Sequence, residues 1–372
     1  MIDDFKLDKF AIIDFDTGVK EKKDTQKDHI RQIYNLSFSG GGFKGAAFLG
    51  CVKALKQHNL LDNVQCVAGS SAGALVATLI ACRAEYGFMK KCTMKILQHF
   101  DKYRFSWYHI FKNAQNVSKD YGVFQTEELQ KIFSTYVQEA SKLKGPITFK
   151  TLYELTQIKL IITATCLDSK TPFYFNYETT PNTEISEALC ISVNIPLLFA
   201  AKKYNNERMV DGCIIEHLPM ECWKDEEIDN TIAFLVKSRN EVFHLRTEVD
   251  SIYDYVEKLM SAVKKTADEA YLQKYKDTIC LVVTQLSAYG KLPTDEELKN
   301  ITHSSYFQTL KTLEEKKFIP DSKIRTSGTI SSFIIADDEE SVDDNPKWIT
   351  DKRILTFIYT ILSLILIIRL CQ

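Results

Sequence analysis

Two glycine-bounded turns carry the residues whose types and spacing fit chemistry. Gly69-Ser70-Ser71-Ala72-Gly73 reads Gly-x-Ser-x-Gly. A serine at the centre of this pattern sits on a sharp strand-to-helix turn, and its neighbours two before and two after must be small for the chain to bend. The turn lifts the Ser71 Oγ clear of the sheet and over the N-terminus of the next helix, where peptide dipoles favour developing negative charge. That suits a nucleophile for acyl transfer. Upstream lies Gly40-Gly41-Gly42-Phe43-Lys44-Gly45. Its glycines leave backbone N–H groups free to turn towards a ligand, and donors fixed in advance stabilise the oxyanion that acyl transfer generates. Gly-x-Gly-x-x-Gly is also contained here, at Gly40, Gly42 and Gly45, but a dinucleotide site leaves Ser71 without a role. The Gly-Lys-Ser/Thr of a phosphate-binding P-loop is missing.

A serine nucleophile needs a base. Of the seven histidines, only His217 lies near a carboxylate motif, six residues after Asp211. Asp211-Gly212 follows the apolar pair Met209-Val210. A carboxylate within hydrogen-bond reach can take the hydroxyl proton directly. The same local context also fits a turn residue with no catalytic part.

The elements that position these residues are legible as runs. Residues 34–39 read as a strand stopped by the three glycines. A helix is expected over 44–57, where Ala47, Phe48, Cys51, Ala54 and Leu55 recur at helical spacing. A second β-like run, residues 64–68, meets the Ser71 turn, and an apolar helix is expected over 72–84. Two strand–glycine turn–helix units in succession imply a parallel sheet covered by helices. Residues 86–150 read as helical, with Phe105, Trp107, Tyr108 and Phe111 as core packing or a lipid-facing lid. Further strands are expected over 159–165, 231–236 and 278–283, with a long helix over 250–275.

Four motifs, in order, resemble the patatin-like phospholipases. Leu36 to Gly45 looks like their oxyanion loop, including Lys44 and Gly45. Gly69 to Gly73 matches their nucleophile elbow. Ser192-Val193-Asn194-Ile195-Pro196 resembles their Ser-x-x-x-Pro segment, and Asp211-Gly212-Cys213 stands where they have Asp-Gly-Gly or Asp-Gly-Ala. A weaker similarity continues to about 318 through Leu292-Pro293-Thr294-Asp295-Glu296-Glu297. The resemblance implies a Ser71–Asp211 dyad, no metal or cofactor, and an acyl-glycerolipid substrate. Gly40, Gly41 and Gly42 form the implied oxyanion hole, with Gly41 and Gly42 as the leading donors. Lys44, Gly45, Gly69, Gly73 and Gly212 support the motifs. Two departures stand out: Cys213 adds bulk beside the base, and Glu216-His217-Leu218-Pro219 replaces a stretch that usually carries asparagines. The reading is a serine ester hydrolase; the alternatives are an acyltransferase on the same fold or an inactive lipid-binding scaffold.

The 372 residues carry a net charge of −2, with 45% hydrophobic and 26% charged residues. No basic field and no nucleic-acid motif points to DNA or RNA. The ten cysteines form no Cys-x-x-Cys pair and mostly sit in apolar runs, as buried reduced thiols do. The N-terminus lacks the basic-then-apolar pattern of a secretory signal. The expected organisation is an extension at 1–33, a three-layer α/β/α domain with a mainly parallel central sheet at 34–318 (core motifs 36–219), a linker at 319–350, and a C-terminal apolar helix at 351–372. Ile354 to Ile368 is uncharged, between Lys352-Arg353 and Arg369. It is short for a ~30 Å hydrocarbon core, but basic flanks can snorkel and add reach. A single-pass membrane anchor with the catalytic domain facing the cytosol is expected.

Overall fold

Asn35–Phe38 (β1) and Cys66–Ser70 (β2) pair in parallel, with Ser37 opposite Ala68 and Phe38 opposite Gly69. Both strands are buried along their whole length, so they read as continuous apolar or small runs rather than alternating ones. They sit at the centre of an eight-stranded sheet. It also contains Lys159–Cys166 (β4), Thr171–Phe175 (β5), Lys202–Tyr204 (β7), Glu207–Asp211 (β8), Thr231–Ser238 (β9) and Ile279–Thr284 (β10). The order is β10-β9-β1-β2-β4-β8-β7, with β5 also on β4. The five strands from β10 to β4 pair in parallel, whereas β5, β7 and β8 run antiparallel to their neighbours. The computed structural model describes residues 30–103, 119, 121–245, 249 and 252–320, all within the unit Met1–Ser322.

Alternating side chains along each strand feed two cores, because successive Cβ atoms point to opposite faces. Leu36, Phe38, Val67, Leu160, Ile162, Ile232 and Phe234 enter the larger one. Helices Phe48–Gln57 (α1), Ala72–Ala81 (α2), Tyr86–Asp101 (α3) and Asp295–Glu315 contribute to it. Ala68, Ile161, Ala233 and Leu235 face the smaller one, where Leu218, Met220, Trp223 and, from helix Ile252–Lys274, Tyr271 and Leu272 cover the sheet. The sheet therefore lies between two apolar layers, which is the expected three-layer α/β arrangement.

Several expectations shift in detail. The helix expected from residue 44 starts as a 3-10 turn over Gly42–Ala47, where the Phe43 N–H is captured by the Ala288 carbonyl at 2.9 Å, and turns α-helical at Phe48. The stretch 86–150 is not wholly helical. Gly122–Phe124 (β3) pairs with Leu197–Phe199 (β6) in a separate two-stranded sheet, and three residues are too few to show a period. The β7–β8 hairpin turns on Asn205 and Asn206, at φ 50° and 67°. That is a two-residue turn of the kind Asn tolerates, and the Asn-Asn pair is its local signal in the sequence.

Among the described residues nine cysteines are free thiols, and eight of them are buried. Burial pushes the Cys66, Cys82 and Cys190 thiols up to about 12. Phe105, Trp107, Tyr108 and Phe111 lie outside the described residues, as do most of the N-terminal extension, nearly all of the linker, and the C-terminal apolar segment. Among the described residues no helix is long and apolar enough to cross a membrane.

Candidate active site

Ser71 ends β2 and starts α2 at φ 51° and ψ −118°, a conformation costly for a residue with a Cβ. The tight turn explains the small neighbours. A Cβ on Gly69 would lie 2.4 Å from the Gly73 carbonyl oxygen, and one on Gly73 would lie 2.2 Å from the Phe38 oxygen. The Ser71 N–H donates to Ser192 Oγ at 2.9 Å, which pins the elbow to the Ser-x-x-x-Pro segment.

Strand register brings the base to the serine. On β4, Thr163 faces Ser70 of β2, and the next residue, Ala164, faces Asp211 at the end of β8. Ser71 and Asp211 thus flank the same position on β4. The Ser71 Oγ donates to Asp211 Oδ2 at 2.8 Å, and Asp211 Oδ1 accepts the Cys213 N–H at 2.8 Å. Both side chains are nearly inaccessible, at 7% and 3% exposure. Burial raises Asp211 above the usual carboxylate range; its bonds from Cys213 and Ser71 and the charge of Lys264 oppose this. A carboxylate so raised is a better proton acceptor than an exposed one.

The glycines of the loop differ in what their N–H groups meet. The Gly40 N–H is taken by the His217 carbonyl at 2.9 Å. Gly40 therefore drops out of the expected oxyanion hole, because its only donor is spent. Gly41 and Gly42 have no hydrogen-bond acceptor for their N–H groups among the described residues, and both line a cavity with Ser71 and Asp211. Gly42 sits at φ +55°, and a Cβ there would lie 2.3 Å from the Ala288 oxygen, so only glycine fits. Gly45 makes room for Ala72, whose Cβ a methyl at Gly45 would meet at 2.8 Å, and Gly212 packs against Thr163 and Ser70.

Lys44 stands in the wall of the cavity that holds Ser71 and Asp211. It is 1% exposed and its Nζ meets Glu241 Oε2 at 2.5 Å. Burial opposes ionisation of Glu241, but the charge and hydrogen bond of Lys44, helped by the Ser238 N–H, hold it at about 2. Glu241 lies beyond the motifs read in the sequence. Its visible signal is the capping box Ser238-x-x-Glu241 that opens a short helix.

The two departures also have definite places. The Cys213 Sγ packs 3.5 Å from Ser70 Oγ and fills the space beside Gly40. His217 is not within the Ser71–Asp211 pair. Its Nε2 lies 3.0 Å from the Gly40 oxygen and its Nδ1 lies 3.0 Å from Asp268 Oδ1, while Asp268 Oδ2 meets Lys237 Nζ at 3.1 Å. Burial pulls His217 below the usual histidine value, as do the charges of Lys264 and Lys44, and Asp268 opposes them. Asp268, on helix Ile252–Lys274, carries no motif that marks it in the sequence. Among the described residues no group of three or more His, Cys, Asp or Glu could hold a metal ion.

An apolar cavity opens on Ser71 and Gly42. Leu75, Val76, Leu79, Ile96, Leu97 and Phe100 line it, and it encloses about 890 Å³ of space, part of it open to solvent. A second, more polar cavity meets it at Ser71 and Tyr289 and is lined by Glu257, Met260 and Lys264.

Residues 36–221 match the family profile described as patatin-like phospholipase. The chain belongs to the patatin-like phospholipase family. It is 26% identical over 234 residues to an uncharacterized protein of Acanthamoeba polyphaga mimivirus, covering 60% of this chain and 74% of that one. It is 26% identical over 187 residues to a probable lipid hydrolase of invertebrate iridescent virus 6, covering 50% of this chain and 61% of that one. It is 29% identical over 210 residues to a triacylglycerol lipase of Arabidopsis thaliana, covering 54% of this chain and 25% of the lipase. Among solved structures, VipD of Legionella pneumophila aligns with a TM-score of 0.48 at 16% identity, over 79% of this chain and 72% of that one. ExoU of Pseudomonas aeruginosa, in its complex with SpcU, aligns with a TM-score of 0.49 at 18% identity, over 78% of this chain and 53% of that one. The patatin-like match ends at residue 221, so Glu241, Asp268 and Tyr289 are contributed from beyond it.

Proposed function

We propose that this patatin-like chain is a serine acyl hydrolase that cleaves fatty acyl esters of membrane glycerolipids, with Ser71 as nucleophile and Asp211 as base. The observation that carries the reading is the 2.8 Å bond between Ser71 Oγ and Asp211 Oδ2 at the mouth of an apolar cavity. Ser71 Oγ attacks the ester carbonyl as its proton passes to Asp211. The N–H groups of Gly41 and Gly42 receive the oxyanion. Collapse expels the alcohol, which takes the proton from Asp211 and leaves the acyl group on Ser71. Water, activated by Asp211, then releases the fatty acid. The apolar walls suit an acyl chain, and the more polar cavity that shares Ser71 with it suits the glycerol and head group. Similarity to a probable lipid hydrolase and a triacylglycerol lipase supports the lipid class.

The test is covalent labelling by a fluorophosphonate together with lipidomics of products from the wild type and Ser71→Ala. The adduct is expected on Ser71, and free fatty acid should be released by the wild type alone. Labelling at Ser70, or equal release by both proteins, would sink the assignment. Acyl chains recovered on an added alcohol in place of free fatty acid would turn the reading to acyl transfer.

The enzyme is further proposed to be held at a membrane by residues 354–368 with its catalytic domain facing the cytosol. This rests on the sequence alone: 15 uncharged residues between basic flanks, and cysteines that form no Cys-x-x-Cys pair and mostly sit in apolar runs, as reduced thiols do.

A further inference from the structure

We propose that His217 is a positioning residue for the oxyanion donor at Gly41, acting by setting the plane of the Gly40–Gly41 peptide. The inference rests on the hydrolase reading above. In a trans peptide the C=O and the following N–H point to opposite sides of one rigid plane. Whatever holds the Gly40 carbonyl therefore aims the Gly41 N–H. Flanked by glycines, that peptide has little intrinsic preference for one orientation. Here its carbonyl is held from two sides: the Gly40 oxygen lies 3.0 Å from His217 Nε2 and accepts Ser39 Oγ–H at 2.9 Å. The preceding peptide is fixed by the Gly40 N–H, which donates to the His217 carbonyl at 2.9 Å. Ser39 Oγ is itself fixed by the Val236 N–H at 3.0 Å.

The ring is anchored behind. Its Nδ1 faces Asp268, which in turn meets Lys237 on β9. His217 and Asp268 are 3% and 4% exposed, so water does not compete for these bonds. The His217 ring spans from Gly40 to a helix beyond the family-matched segment, and that helix becomes part of the site's support. None of these groups lies within the Ser71–Asp211 pair, so the role is to position, not to react.

The test uses the full chain and compares His217→Phe, His217→Gln and Asp268→Asn. A glutamine amide can place a donor where Nε2 stands, whereas phenylalanine fills the volume without one. Loss of a whole oxyanion donor costs about 10²–10³ in kcat, so a donor left unaimed in His217→Phe should cost at least about ten-fold. KM should stay within about two-fold, because ground-state binding is untouched. Affinity for a trifluoromethyl ketone lipid analogue, whose Ser71 adduct carries an oxyanion, should fall by a factor matching kcat/KM. His217→Gln should recover most of the rate. Asp268→Asn, which loosens the ring without emptying its place, should fall between and carries the comparison if His217→Phe does not fold. A loss confined to KM, unchanged ketone affinity, or glutamine as inactive as phenylalanine would each overturn the proposal. If the wild type itself neither turns over ester nor takes the fluorophosphonate, the hydrolase reading fails. The brace is then judged by the carbonyl shift of Gly40 in 13C-glycine-labelled protein: a hydrogen-bonded shift in the wild type and His217→Gln that moves upfield in His217→Phe supports it, and the same shift in all three refutes it.

Discussion

The substitution Gly40→Ala, alone and with Cys213→Gly, tests how closely the glycine loop is fitted against the departure at Cys213. A methyl on Gly40 would lie 1.9 Å from Cys213 Sγ, but 3.4 Å from both His217 Cδ2 and Ser71 Cβ. Unstrained nonbonded heavy atoms sit about 3.5–4.0 Å apart, so roughly 1.6–2 Å of overlap with the sulfur has to be relieved. The other two contacts are close to ordinary. Overpacking of this kind costs about 1–3 kcal/mol in stability. A shift of about 1 Å between Ser71 and its donors costs roughly 10² in rate. Gly40→Ala should therefore lower the melting temperature and reduce kcat/KM on a short-chain chromogenic ester about 100-fold. Cys213→Gly, which restores the family's Asp-Gly-Gly, should retain activity within a few-fold. The double mutant should recover at least ten-fold of what Gly40→Ala loses, a coupling of about 1.4 kcal/mol or more. Additive effects, or a fully active Gly40→Ala, would show that the sulfur does not confine the loop.

Asp211→Asn should cut kcat by about 10²–10⁴ with no fall in melting temperature, since it removes a general base and a buried charge together. In the wild type, burial raises Asp211 and only its ionised form accepts the proton. Activity should therefore be lost as pH falls through a value above the ordinary aspartate range near ~3.9, and a kcat/KM profile flat down to about pH 4 would contradict this. Lys44→Met leaves Glu241 charged and largely buried. Breaking a buried pair costs ~3–5 kcal/mol, and with Glu241 still reached by the Ser238 N–H about 2–3 kcal/mol is expected. This should be visible as a lowered melting temperature that Glu241→Gln partly restores, and an unchanged melt would refute it. A chain ending near Pro346 should stay soluble and hydrolyse dispersed short-chain esters, while the full chain should stay in the membrane pellet after carbonate washing. Release by carbonate would rule out a spanning helix at 354–368.

The sheet and the elbow were legible because their signals are local. Apolar runs of strand length meet glycines at the C-terminal ends of β1 and β2, and steric need limits what can stand at positions 69 and 73. β3, β5, β6, β7 and β8 are as short as β1 and β2 but lack the glycine turn and following apolar helix that mark those two, and they draw their stability from partners far along the chain. The Asn205-Asn206 turn was the one local sign of a hairpin.

The same division runs through the site. The sequence by itself determined the chemistry available: a serine on a strained turn, a glycine loop with donors to spare, and an aspartate that family resemblance joined to the serine. Only the tertiary structure decided which groups meet. Strand register across β4 carries Asp211 to Ser71. The His217 carbonyl takes the Gly40 N–H, and the N–H groups of Gly41 and Gly42 have no acceptor among the described residues. Glu241 neutralises a Lys44 that would otherwise be a buried charge, and Asp268 anchors the histidine that holds the loop. These contacts join residues up to 197 positions apart. Hydrogen bonds and ion pairs at such separations leave no periodicity in the chain, because they depend on where the sheet brings its ends together.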